Sequence, residues 1–272
     1  MIVVTGATGN VGRPLVEILA ARGEDVTAVS RGEAELPPGV AHRTADFTRP
    51  ETLDAAFAGA DRLFLLTLDH SLDIAAILKA ADAAGIGRIV FLSSERAVTR
   101  PSVETQAFEN AVTASGIEWT LLRPGGFASN AIPWAAETIR ARREMIMPFG
   151  DVGLPLIDPR DIAEVAAAVL TEDGHTGRAY LLTGPALVTP RQQAEAIGAA
   201  IGEPVAFTEQ TREAAFEQLL QYWPADIVEG SLDVIGAPNR AELHVSPEVE
   251  RLLGRPATSF AEWAKRNAAA FR

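Results

Sequence analysis

The stretch MIVVTGATGNVG, Met1 to Gly12, decides the reading of this chain. Four apolar residues run into Thr5 and then into three glycines, Gly6, Gly9 and Gly12, at intervals of three. Such spacing at a strand-to-helix turn divides the work among the glycines. One allows the tight turn, one lets backbone approach a pyrophosphate, and one lets the following helix pack closely on the sheet. Val11–Arg22 continues with helical spacing and stops at Gly23, so the helix N-terminus, with its free N–H groups and positive dipole end, faces the loop. The opening stretch is apolar from residue 2 without a basic leader, and is expected to be a first strand rather than a signal peptide.

Working outward, apolar period and punctuation alternate between strand and helix. Strands are expected over 25–30, 40–45, 62–67, 88–92, 118–122 and 178–182. Helices are expected over 51–58, 72–84, 103–115, 131–143 and 161–170. Short connections between such units imply parallel strands with right-handed crossovers, hence an α/β, Rossmann-type doubly wound parallel sheet. After Gly126 the rhythm changes, and beyond Pro190 the pattern is mostly helical (191–201, 212–222, 260–271). The expected division is an NAD(P)-binding domain of residues 1–127 plus about 155–185, and a smaller, mostly helical substrate-binding cap of about 128–154 plus 186–272.

Composition narrows the function classes. The 272 residues are 47% apolar with a net charge of −12, and no apolar run is long enough to span a bilayer. An acidic chain without a basic block is a poor ligand for nucleic acid or anionic membranes. There is no cysteine, which removes disulfides and thiolate chemistry, and the four histidines, His42, His70, His175 and His244, have no ligand spacing, so no metal is expected. Cytoplasm is the expected location.

The glycine loop makes a dinucleotide the expected cofactor. The tip of the second strand, where a carboxylate would hold a ribose 2′-hydroxyl, reads Val29-Ser30-Arg31. Arg31, with Arg13 just beyond Gly12, can meet a 2′-phosphate bidentately, which favours NADP(H) over NAD(H). Asp46 has two readings, a bond to the adenine edge or a cap on the next turn.

These residues resemble a known group. TGATGNVG, the pair Ser93-Ser94, ASGIEWTLLRPGGFASN (Ala114–Asn130), PLIDPRDIAEVAAAVL (Pro155–Leu170) and GRAYLLTGP (Gly177–Pro185) are similar to the NmrA-like branch of atypical short-chain dehydrogenases/reductases. The resemblance runs from residue 1 to about 202. It implies a Rossmann domain with a smaller C-terminal substrate domain. Members include NAD(P)H-dependent quinone reductases, reductases of secondary metabolism, and proteins that bind the nucleotide as redox sensors without turnover. Together with the loop reading, the expected cofactor contacts are Thr5, Gly6, Thr8, Gly9, Asn10, Val11, Gly12, Arg13, Ser30, Arg31, Asp46, Phe47, Thr67, Leu68, Ser93, Pro124 and Phe127. Phe127, Asn130 and Trp134 are the expected substrate contacts.

Typical short-chain reductases carry Tyr-x-x-x-Lys on the helix after the serine-bearing strand. The two tyrosines here, Tyr180 and Tyr222, are followed four residues on by Gly184 and Asp226. Counted back from Ser115-Gly116 as in relatives, the tyrosine and lysine positions hold Pro101 and Thr105. Candidate catalytic groups are then Ser93 and Ser94, at the carboxyl edge of the fifth strand, and His70 beyond the fourth. Three functions stand open. The first is an NADPH-dependent reductase of a flat conjugated molecule, a quinone, an enone or a secondary-metabolite intermediate, which tolerates the lack of a strong acid. The second is an NADP(H)-sensing regulator of a partner protein, and the third a non-redox enzyme on the same fold. The expected partner is a small-molecule substrate, with a homodimer or a regulatory protein partner left open.

Overall fold

The computed structural model describes every residue except Leu68 and His70. In chain order the first half contains β1 (Ile2–Thr5), α1 (Gly12–Ala21), β2 (Val26–Ser30), β3 (Ala41–Thr44), α2 (Leu53–Phe57), β4 (Arg62–Leu66), α3 (Ile74–Ala83), β5 (Arg88–Leu92), α4 (Arg96–Thr99), α5 (Val103–Ala114) and β6 (Glu118–Pro124). The second half contains α6 (Ala131–Arg142), β7 (Glu144–Met147), α7 (Pro159–Thr171), β8 (Arg178–Leu182), α8 (Pro190–Ile201), β9 (Ala206–Glu209), α9 (Arg212–Leu219), α10 (Ala225–Gly236), α11 (Glu248–Leu253) and α12 (Phe260–Arg266).

Two compact units result. The first comprises Met1–Pro124, Pro159–Leu182 and Glu248–Arg255. Its seven strands are all parallel, in the order β3-β2-β1-β4-β5-β6-β8. This is the α/β doubly wound sheet the strand–helix alternation implied. The central strands are apolar on both faces because helices cover both. Val3, Leu63, Leu65, Ile89 and Phe91 share a core with Leu53, Phe57, Ile77, Phe108 and Val112 of α2, α3 and α5. Residues of opposite phase, Ile2, Val4, Phe64 and Val90, are equally buried. On the other side α7 packs against α1, α11 and the middle strands, and for that reason reads as alanine, valine and leucine on nearly every face. Arg255 donates to Asp161 at 2.7 Å and to Glu164 at 2.7 Å, giving the fully buried Asp161 carboxylate a counter-charge.

The second unit comprises Gly125–Asp158, Thr183–Pro247 and Pro256–Arg272. Its core gathers Trp134, Ala135 and Ile139 of α6, Met145 of β7, Ile197 of α8, Leu219, Val228, Leu232, and Phe260 and Trp263 of α12. Strands β7 and β9 form a parallel pair, register Glu144↔Ala206 to Met147↔Glu209, that the helical pattern did not announce. The helix expected over 212–222 stops at Leu219, since Pro224 lies just ahead and starts α10, and the residue before proline avoids helical backbone. The helix expected over 260–271 ends at Arg266. There the Asn267 amide donates to the Trp263 carbonyl at 2.8 Å, and a 3-10 turn, Ala268–Phe271, follows.

At the centre of the first sheet, Thr5 joins β1 to β4 by its side chain. Its hydroxyl donates to the Phe64 carbonyl at 3.0 Å and accepts the Leu66 N–H at 2.8 Å. The residue is fully buried, so Thr5→Val leaves the Leu66 N–H without a partner. We expect a loss of about 1–3 kcal/mol, read as a lower urea midpoint with an unchanged m-value.

Candidate nucleotide and acceptor site

Gly6, next after the Thr5 clamp, takes φ +62°, and a Cβ there would lie 2.6 Å from Leu66 Cδ2. The Gly9 N–H donates back to the Gly6 carbonyl at 2.9 Å. A Cβ on Gly12 would lie 2.1 Å from that same oxygen, so α1 can only start this close to the loop with glycine in its first position. The start of α1 also lacks a cap of its own. Its N-cap residue is Val11, and no acidic side chain lies in its first turn. By contrast α3, α5, α8, α9 and α12 are each capped by an Asp, Ser or Thr side chain. A helix start left bare behind a glycine turn is a receptor for a pyrophosphate.

A cavity of about 370 Å³ opens over this loop at the carboxyl ends of the strands. It lies where the sheet order reverses between β1 and β4. Thr5, Gly6, Thr8 and Gly9 line it from the loop, Ser30 and Arg31 from β2, Asp46 and Phe47 from beyond β3, and Leu66 and Thr67 from β4. Thr48, Asp69 and Leu72 also border it, and none of these three was among the sequence candidates. The signal for Thr48 was present in Asp46-Phe47-Thr48, the spacing of an Asp that accepts from the backbone two residues on. The Thr67 hydroxyl oxygen is buried and has no hydrogen-bond partner among the described residues. A glycine cradle and an orphaned hydroxyl in one cavity, with a bare helix start just beyond the loop, fit a dinucleotide.

The adenosine end is electrostatically organised. Asp46 accepts the Thr48 N–H at 2.9 Å and its hydroxyl at 2.8 Å. These two bonds, with Arg49 and Arg31 nearby, hold its carboxyl below the usual value of 3.8. The Ser30 hydroxyl donates to the Gly32 carbonyl at 2.7 Å and lies 2.8 Å from His42 Nε2, which must therefore be its donor. Arg31 is exposed at the rim. Arg13 is not among the lining residues and borders a separate hollow with Glu17 and Glu35. Asn10, Val11 and Gly12 form the turn into α1 without lining the cavity. Leu68 and His70, expected as a cofactor contact and a proton carrier, lie outside the described residues.

At the β5 and β6 ends of the sheet the polar groups are largely committed. The Ser93 hydroxyl donates to Glu109 Oε1 at 2.6 Å. Arg123 grips the same buried carboxylate bidentately, Nε to Oε1 at 2.9 Å and Nη2 to Oε2 at 2.6 Å. In this arrangement Ser93 has no proton left for a substrate carbonyl. Ser94 accepts the Arg96 N–H at 3.2 Å, and its own proton has no acceptor among the described residues. The Pro124 carbonyl accepts the Glu95 N–H at 3.0 Å, tying the β5 turn to the end of β6. Thr105 forms a capping box with Ser102 at the head of α5, and Pro101 precedes it, exposed. In the second unit, Phe127 bridges to Ile157 and Asn130 is exposed before α6. Trp134 sits in the core with 7% of its surface exposed, because α6 turns that face inward.

A family profile described as NAD(P)H-binding matches residues 6–173. The chain is 37% identical to the (4-alkanoyl-5-oxo-2,5-dihydrofuran-3-yl)methyl phosphate reductase of Streptomyces griseus, over 100% of this chain and 99% of that protein. It is 34% identical to the NAD(P)H azoreductase of Xenophilus azovorans, over 100% and 99%. Its fold matches the Escherichia coli NADPH-dependent quinone oxidoreductase complexed with NADPH, with TM-score 0.80, 25% identity, and coverage of 98% and 99%. The chain therefore belongs to the NAD(P)H-binding family and is an NAD(P)H-dependent oxidoreductase. Among the described residues no group of His, Asp and Glu side chains is arranged to hold a metal, and no helix is long and apolar enough to cross a membrane.

A carboxyl NMR titration checks the adenosine end. The Asp46 resonance should titrate below 3.8. Because its native pKa is depressed, its contribution to folding is complete above the unfolded value and fades as pH falls through the native one. In Thr48→Val the pKa should move back up.

Proposed function

We propose that this protein reduces a flat, conjugated, electron-poor small molecule at the expense of NADPH, and that the product takes its proton from water. The observation that carries the reading is the contrast between the two parts of one sheet edge. The glycine cradle is built, whereas Pro101 and Thr105 stand where the resemblance to short-chain reductases would put a tyrosine and a lysine, and Thr105 is part of a helix cap. When bound, the reduced nicotinamide supplies hydride. A quinone or an enone spreads the incoming negative charge over its conjugated oxygen, so the protein is asked mainly to position, and to exclude water from, two stacked rings. The relatives named above support this, since an unsaturated lactone, an azo compound and a quinone are all acceptors of that kind.

In this proposal the backbone of Gly6, Thr8 and Gly9 and the start of α1 hold the pyrophosphate. The Thr67 hydroxyl bonds the adjoining ribose or phosphate. Arg31, standing at the β2 tip where an acid would hold a ribose 2′-hydroxyl, takes the 2′-phosphate and sets the preference for NADPH. Pro124, at the end of β6, is the proposed contact beside the reacting ring.

Purified protein should oxidise NADPH when offered naphthoquinones, azo dyes or unsaturated lactones. Tight NADPH binding with no turnover across such a panel would count against this reading and favour a nucleotide sensor. Arg31→Ala should weaken NADPH by roughly tenfold or more while barely changing NADH, as loss of a guanidinium–phosphate contact requires. Ser93→Ala should keep kcat within about tenfold of the parent, because a general acid would be worth about 10²–10⁴-fold. A larger loss would make Ser93 the proton donor.

A further inference from the structure

Arginine supplies 22 of the 24 basic residues, and in the first unit the partly buried guanidinium groups are mostly committed. Arg43 donates to the Ala56 and Ala58 carbonyls, Arg88 pairs with Glu118 and Asp173, and Arg123 grips Glu109. Arg96 is the exception. It is partly buried, yet the structure gives its guanidinium no carboxylate, carbonyl or hydroxyl partner among the described residues. Holding a charge partly out of water without a partner costs free energy that the fold does not recover.

The position of Arg96 is well defined although its charge is unmet. It opens α4 immediately beyond β5, at the carboxyl edge where sheets of this class receive ligands. Its N–H is held by the Ser94 hydroxyl at 3.2 Å, and the preceding Glu95 N–H by the Pro124 carbonyl at 3.0 Å. Among the described residues, one short turn therefore carries an O–H without an acceptor, on Ser94, and a guanidinium without a partner, on Arg96, while the neighbouring Ser93 is consumed by Glu109. A planar fork with an adjacent hydroxyl donor is a receptor for a tetrahedral or carboxylate oxyanion.

We infer that Arg96, assisted by Ser94, binds an anionic substituent of the acceptor, a phosphate monoester or a group of the same charge and shape, and so selects charged over neutral acceptors. This rests on the reductase reading above and adds the substrate class to it. The site answers to the substrate's oxyanion and is separate from the cavity holding Arg31 and Asp46, whose lining does not include Arg96.

The test compares 2-methyl-1,4-naphthoquinone with the same ring carrying a methylene-linked phosphate, using the full chain. In the parent, the phosphorylated probe should have the lower KM. In Arg96→Gln, the ratio of the two KM values should shift against the phosphorylated probe by about 10- to 100-fold, the worth of a charged hydrogen-bonded contact. Arg96→Lys should fall between, keeping the charge and losing the fork. An unchanged ratio in both variants overturns the inference. So does a loss confined to NADPH affinity, which would place Arg96 on the cofactor phosphates. Calorimetry of the phosphorylated probe with the NADP⁺-loaded protein reads the same contact without turnover. If the parent binds that probe through Arg96 but reduces neither quinone, the reductase reading fails and the anion site stands. If both quinones are reduced with equal KM in parent and variants, the reverse holds.

Discussion

The approach of Gly12 to the Gly6 carbonyl is the constraint on which the rest of the first unit depends. Helix α1 begins so near the loop that any side chain at residue 12 would occupy the space of that oxygen. The same closeness leaves the bare helix start facing the turn, with no capping side chain in the way. Thr5 fixes the other side of the arrangement, since its hydroxyl bonds both to the β4 carbonyl and to the β4 N–H at the point where the strand order reverses. Loop, helix and sheet thus share one small set of contacts, and the cavity over them is a consequence of that geometry.

Charge in this acidic protein is distributed by a similar economy. Buried carboxylates are held by arginines, Glu109 by the Arg123 fork and Asp158 by Arg266 Nη2, while Asp46 near the surface is kept ionised mainly by a backbone N–H and a hydroxyl. Breaking one of the buried pairs would strand a charge in low dielectric, which is why such pairs act as fixed parts of the framework. Against that background the Arg96 guanidinium, without a partner among the described residues, is the exception on which the proposed anion site rests.

The proton side of the chemistry follows from what the side chains are already doing. Ser93 spends its hydrogen on Glu109, and Thr105 closes a helix cap with Ser102. Neither is arranged as an acid. That arrangement is what motivates the proposal of an acceptor that carries the incoming charge itself.

Much of this was legible in the residues alone. A strand feeding three glycines, followed by repeated strand–helix units, determines a parallel doubly wound sheet, because short connections and chirality leave few other topologies. The absence of tyrosine and lysine at residues 101 and 105 is likewise a matter of reading the chain. Other features depended on residues far apart in sequence. The pairing of Ser93 with Glu109 and Arg123, the orphaned hydroxyl of Thr67 and the unmet charge of Arg96 are facts about neighbours, and local spacing does not encode neighbours. The β7–β9 pair was hidden for the same reason, since each strand is four residues long and is stabilised only by its partner some sixty residues away. Periodicity determined where the backbone goes. Only the packed structure decided which polar groups among the described residues have their bonds satisfied within the chain and which do not.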